Sequence, residues 1–203
     1  MSTTIVGPDG KTRCRWSASA PDFIRYHDSE WGFPVADDRR LFEKLSLEGF
    51  QSGLSWRTIL DKRENFREAF HDFDFERVAR FGARDVERLL KNAGIIRHRG
   101  KIEAVINNAK RARELVDREG SLAAFLWRYE PDPKTPDTPQ TATTSAESIA
   151  LSKDLKKQGW AFVGPTTMFA FMQSMGLIND HAEDCVIRAK VDSARRKFKR
   201  PGR

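Results

Sequence analysis

The sequence predicts an all-α fold on three observations. Apolar residues recur at helical spacing along nearly the whole chain, no stretch keeps up a two-residue alternation, and glycines and prolines fall where the periodicity stops. Residues 99–118 give the clearest helix. Ile102, Val105, Ile106, Ala109, Ala112, Leu115 and Val116 form one buried stripe, while Lys101, Lys110, Arg111 and Arg113 stay off it, free to meet phosphate. Gly120 is placed to end that helix. Similar reasoning puts helices at about 21–31, 38–47, 55–70, 74–81 and 84–93, with Pro21 as a start signal and Gly94 as a stop.

Prolines at 131, 133, 136 and 139 interrupt a stretch without periodicity, so 131–143 reads as a loop. Thr144-Ser145-Ala146-Glu147 has the form of a capping box and opens a helix bearing Ile149, Leu151 and Leu155, together with the basic Lys153, Lys156 and Lys157. Beyond Gly159 an apolar turn, Trp160 to Thr167, runs into a helix at 168–175 closed by Gly176. The expected organisation is a disordered segment 1–12, one helical domain over 13–187, and a basic, mobile tail over 188–203.

A chain of 203 residues with 39% hydrophobic residues can bury a core without staples. Lys and Arg outnumber Asp and Glu by 36 to 29, a formal charge of +7 that favours a polyanionic partner, nucleic acid before an acidic membrane. No apolar run approaches the ~20 residues needed to cross a bilayer and residues 1–11 lack a signal-peptide core, so the expected address is cytoplasmic. Two cysteines nearly exclude a disulfide framework and rule out a four-cysteine iron–sulfur cluster.

Three constellations carry chemistry. In the first, Val163-Gly164-Pro165-Thr166 between two helices has the form of a helix-hairpin-helix turn. There a glycine allows close backbone approach and amides at the next helix start can hold a phosphate oxygen, with Lys153, Lys156 and Lys157 just upstream. A plain Gly-Pro turn is the competing reading. The second gathers Cys14, His27, His181 and Cys185, a donor set suited to zinc with no position left open and therefore structural. A buried thiol pair beside ordinary histidines is its alternative. The third is aromatic: Trp16, Phe23, Tyr26, Trp31 and Trp56 surround Glu48 in sequence, and a carboxylate near a helix C-terminus is poorly placed for the helix dipole. Rings and a carboxylate together suit a flat cation, whereas each ring alone reads as core.

At this point several blocks together carry a resemblance: Arg13-Cys14-Arg15-Trp16, Tyr26-His27-Asp28-Ser29-Glu30-Trp31-Gly32, Leu47-Glu48-Gly49 with Gly53-Leu54-Ser55-Trp56, Lys62-Arg63-Glu64-Asn65, the run from Asn92 to Ile102, and Phe162-Val163-Gly164 with Asn179-Asp180-His181. In order and over about residues 13–185, the chain resembles the 3-methyladenine DNA glycosylase I family. The resemblance implies an all-helical member of the helix-hairpin-helix glycosylase superfamily with a zinc site joining the ends of the domain, its ligands falling on Cys14, His27, His181 and Cys185. It implies hydrolysis of the N-glycosidic bond of 3-methyladenine in alkylated double-stranded DNA, with release of the free base. It makes Glu48 the recognition carboxylate and the acidic group assigned to catalysis. The flipped base would be held by Trp16, Phe23, Tyr26, Trp31 and Trp56, with Phe23 a ring without hydroxyl where a relative carries tyrosine. Gln51, Gly53 and Leu54 fall in the loop expected to fill the gap left by the base, and Lys153, Lys156, Lys157, Gly164 and Thr166 fall on the DNA grip. A monomer is expected. No lysine follows Gly164, so strand cleavage through an amine is not expected. Asp180 reads as structural and Asp184 is left open. Two rivals remain: a non-enzymatic DNA-binding module, and a zinc hydrolase with Glu183 as base.

Overall fold

The computed structural model describes residues 2–132 and 138–202. Its organising element is α2 (Asp38–Gln51), which starts where the Asp37 carboxylate accepts from the Arg40 amide at 2.8 Å. Every residue over 41–50 is buried. A helix wrapped on all sides must pair any charge it carries, because an isolated ion in an apolar interior is far too costly. Glu43 is accordingly held by Arg63 at 2.6 Å and Arg67 at 2.9 Å, and Lys44 by Glu48 at 2.9 Å.

Around α2 lie α1 (Pro21–Ser29), α3 (Trp56–Leu60), α4 (Arg63–Ala69), α5 (Phe75–Val78), α6 (Ala83–Lys91), α7 (Arg99–Glu119) and α8 (Leu122–Leu126). After them come α9 (Ala146–Lys157), α10 (Pro165–Ser174) and α11 (Arg188–Lys197). The main core joins the inner faces of α2, α4, α7, α9 and α10, with Phe42, Phe50, Phe66, Leu115, Leu155 and Phe171 among its buried residues. A smaller cluster holds Cys14, Tyr26, Trp31, Cys185 and Val191.

The structure corrects several expectations. Residues 4–14 are ordered as an antiparallel hairpin of β1 (Thr4–Val6) and β2 (Thr12–Cys14), with Ile5 opposite Arg13. Asp9-Gly10, following the β-branched run Thr3 to Val6, is the turn signal that helical periodicity hides. Arg13 fixes the hairpin by binding Asp9 at 2.7 Å and Asp28 at 2.9 Å. The expected helix at 55–70 is two helices, broken at Asp61 and Lys62. The cap of α9 is Ser145 with Ser148 rather than Thr144 with Glu147, since Ser145 and Ser148 exchange hydroxyl–amide bonds at 3.1 and 2.8 Å. Lys101 does not face solvent: its ammonium is buried and donates to the carbonyls of Phe50 and Ser52, satisfying orphan acceptors at the negative end of α2. In the expected loop, residues 133–137, with Pro133 and Pro136, lie outside the described residues.

The basic tail is also structured. Val191 on α11 is fully buried, Phe198 packs on Trp127 at 4.4 Å between ring centroids, and Arg195 and Arg200 clamp Glu130 at 3.0 and 2.7 Å. The Glu130 side chain is 4% exposed. Burial would raise its pKa, but bonds first from Arg200 and then from Arg195 override burial and hold it below the usual 4.5. The folded-state pKa is therefore depressed. Its stabilisation is complete above pH 4.5 and disappears as pH falls through the lower folded value. Glu130→Gln should cost about 2 kcal/mol at pH 7, because two partly buried guanidinium groups lose their counter-charge. Urea unfolding at pH 7 and below pH 4 checks this: the gap between variant and parent should shrink in acid.

Candidate functional site

Cys14 ends β2, His27 sits in the last turn of α1, and His181 and Cys185 lie in the connection from α10 to α11. All four are buried, and their donor atoms lie within 4.8 Å of one another. His181 Nδ1 is 3.2 Å from His27 Nε2, 3.7 Å from Cys14 Sγ and 3.5 Å from Cys185 Sγ, and the Cys185 sulfur is 3.5 Å from His27 Nε2. A tetrahedral ion with bonds of about 2.05 Å to nitrogen and 2.3 Å to sulfur sets edges of roughly 3.3 Å between nitrogens and 3.6 Å between nitrogen and sulfur. The observed spacings match those edges, so the four residues can hold a metal ion.

The outer partners fit the same use. His27 Nδ1 bonds Asp28 at 2.7 Å, His181 Nε2 bonds the Trp31 carbonyl at 3.0 Å, and the Ala182 amide donates to Cys14 Sγ at 3.3 Å. Such bonds fix which ring nitrogen points inward. A hydrogen bond from Cys14, then the two imidazoles, pull the Cys185 thiol well below its usual range. A side chain on Gly32, at φ +85°, would meet His181 Nε2 at 3.1 Å, so only glycine lets the chain after Trp31 pass the imidazole.

Beside this cluster is a cavity of about 380 Å³, walled by Trp16, Phe23, Tyr26, Trp31, Glu48 and Trp56. All six were expected from the sequence. The rings meet edge to face or tilted: Trp16 lies 5.0 Å from Trp31 and 6.0 Å from Phe23, and Tyr26 lies 5.4 Å from Trp56. Trp31 also meets His181 edge-on at 4.6 Å, which couples the cage to the four-donor cluster.

Sequence reasoning missed Lys44, Gln140, Gln173 and Asp180 on the same wall. Lys44 was findable, standing four residues before Glu48 on one helix and so facing the same way. Its ammonium donates to Tyr26 Oη at 2.8 Å and lies 3.3 Å from the Trp56 ring centroid. Asp180 accepts from the Gln140 amide at 2.7 Å and from Gln173 Nε2 at 2.5 Å. Asp184 and Glu183 are exposed and do not line the cavity.

The expected DNA-facing residues divide between two places. Gln51 lines the cavity and leads into an exposed loop with Gly53 and Leu54, the latter 41% exposed. Lys153, Lys156 and Lys157 are exposed on α9, and Thr166 is exposed in the first turn of α10. Asn108 clamps the turn between these helices, exchanging bonds with the Ala161 carbonyl and amide, both at 2.9 Å. Gly164 is the N-cap of α10, and no side chain caps that helix. A Cβ on Gly164 would meet only Thr167 Oγ1, at 3.9 Å, so the fold itself leaves room for a side chain there. The same helix carries Ala170 and Gln173 to the cavity wall.

A family model described as methyladenine glycosylase matches residues 16–189. The chain belongs to the methyladenine glycosylase family. A relative, the DNA-3-methyladenine glycosylase of Haemophilus influenzae, is 46% identical over 178 residues, covering 86% of this chain and 96% of its own. A crystal structure of 3-methyladenine DNA glycosylase I is similar with a TM-score of 0.81 and 48% identity, over 86% of this chain and 98% of that one. The 3-methyladenine DNA glycosylase I of Staphylococcus aureus, whose structure addresses recognition of 3-methyladenine, also gives 0.81, at 39% identity over 86% and 95% of the two chains. Family membership thus joins an aromatic cavity, a buried carboxylate and a basic chain.

The cluster should bind one metal ion per chain, measurable by elemental analysis. With free metal ~1,000-fold above its Kd, binding adds about 4 kcal/mol to stability. Cys185→Ser should lose that increment together with the metal, and chelation should then leave the variant's melting temperature unchanged.

Proposed function

We propose that this protein is a monofunctional DNA glycosylase that removes 3-methyladenine from alkylated double-stranded DNA. The carrying observation is the cavity in which aromatic rings surround the buried carboxylate of Glu48 in a chain of this family. Duplex stacking hides the glycosidic bond, so the nucleotide must swing out at a cost of a few kcal/mol, less for a damaged and poorly paired base. Leu54 and its loop take the space the base leaves.

N3-methylation makes the attached adenine a cation. When its bond to C1′ breaks, the electron pair returns to the ring, the base departs neutral, and water adds to the sugar carbon. The leaving group therefore needs no acid. The rings of Trp16, Tyr26, Trp31 and Trp56 hold the flat cation, and Glu48 accepts from its exocyclic amine. A guanine-derived base turns a carbonyl toward Glu48, and two acceptors repel, which disfavours 7-methylguanine.

On the DNA side, α9, the turn at 158–164 and α10 act as a helix-hairpin-helix grip on phosphate, with the open first turn of α10 and Lys153, Lys156 and Lys157 supplying donors and charge. The turn Gly164-Pro165-Thr166-Thr167 has no lysine, so chemistry ends at base release. The four-donor cluster suits zinc, whose filled d shell accepts a tetrahedral thiolate–imidazole set, and a closed site of this kind ties chain ends together. The protein acts as a monomer in the cytoplasm.

Incubation with methylated DNA, followed by chromatography of the released bases, tests the reading. The parent should release 3-methyladenine in preference to 7-methylguanine. Glu48→Gln should lower kcat/KM for 3-methyladenine by about 10–100-fold, the scale of a lost hydrogen bond to a charged group, and narrow the preference. Folded, metal-loaded protein that releases no 3-methyladenine would contradict it.

A further inference from the structure

The cavity already contains a cation of its own. Lys44 is 4% exposed, and its ammonium lies 3.3 Å from the Trp56 ring centroid, 5.1 Å from that of Tyr26, 2.9 Å from Glu48 Oε1 and 2.8 Å from Tyr26 Oη. These are the ring faces and the carboxylate that a cationic base would use. We propose that Lys44 is a specificity-determining residue, an internal competitor whose ammonium holds Trp56 and Glu48 until a cationic base displaces it. This rests on reading the cavity as the base site.

Two unit cations compete for one carboxylate and one ring face where both Lys44 and Glu48 are buried and water screens their charges poorly. A cationic base enters only when Lys44 swings aside or gives up its proton, whereas a neutral base can leave the ion pair in place and accept a hydrogen bond from it. Lys44 thus lessens the advantage that rings and Glu48 give to positive charge. It opposes the bound cation but not the neutral base that forms as the bond to C1′ breaks, so the opposition falls away in the direction of reaction.

The surroundings set a pH at which the competitor disappears. Burial brings the Lys44 pKa down to about 8 against the pull of Glu48. The other charged or titratable groups facing it are Tyr26 and Glu30 on or just after α1, Arg63 on α4, and Asp180 across the cavity, while Glu43, next to it on α2, is bound to Arg63 and Arg67. Glu30 and Glu43 are bound to Arg63 at 2.7 and 2.6 Å, and burial pushes the Tyr26 hydroxyl well above its usual range. As pH rises through 8, Lys44 loses its charge, and cations should bind more tightly.

The test uses two small probes, the 3,9-dimethyladenine cation and neutral 9-methyladenine, titrated by calorimetry into the metal-loaded protein. In the parent, the affinity ratio of cation to neutral probe should rise about tenfold between pH 7 and pH 9, following the titration of one group. Lys44→Met should show the higher ratio already at pH 7, with no further rise, and Lys44→Arg should keep the low ratio at both. A ratio that is flat with pH in the parent, or unchanged by Lys44→Met, overturns the role of Lys44 alone. Failure of both probes to bind the folded parent overturns the base-site reading and this proposal together.

Discussion

The structure depends first on the convergence of Cys14, His27, His181 and Cys185. Three of the four donors are close in sequence to a wall of the cavity: Trp16 follows Cys14 by two residues, Tyr26 precedes His27, and Asp180 precedes His181. Trp31 is drawn in by its carbonyl and by ring contact with His181. Fixing four donors at their observed separations therefore fixes half of the aromatic cage. A metal in this cluster would do no chemistry on a substrate, and its effect on function would pass through the rigidity of the rings around it.

The polar wall of the cavity is set by α2, which supplies Lys44, Glu48 and Gln51. A helix buried along ten residues ordinarily carries no charge, yet this one carries Glu43, Lys44 and Glu48. Their cost is offset by Arg63 and Arg67 on one side and by the Lys44–Glu48 pair on the other. The first set anchors α4 and the end of α1 through Glu30. The second faces the cavity, where a ligand can rearrange it. Lys101, capping the same helix from α7, holds the exit that leads into the Gln51–Leu54 loop. Recognition and the loop beside it are thus positioned by one element.

Most helices were legible because their apolar stripes are regular; α7 and α10 are examples. The errors share a physical origin. Asp9-Gly10 specifies a hairpin too short for periodicity to register, and α11 has one buried apolar residue, Val191, with its docking completed by the Arg195 and Arg200 pairs to Glu130. Ion pairs between distant residues leave no local pattern. In the cavity, the rings and Glu48 were readable as a group because they crowd one stretch of sequence. Gln140, Gln173 and Asp180 reach the cavity from the other end of the chain, and only the folded path brings them there. Lys101 misled because a lysine beside an apolar stripe is usually solvated, and here the open carbonyls of another helix end receive it.

The central claim, that the cage around Glu48 receives a flipped 3-methyladenine base, is tested most directly by a crystal structure of the metal-loaded protein with 3-methyladenine. The account predicts the base between the rings of Trp16, Tyr26, Trp31 and Trp56, its exocyclic amine within hydrogen-bond distance of the Glu48 carboxylate. A base bound elsewhere, or one turning its amine away from Glu48, would contradict it.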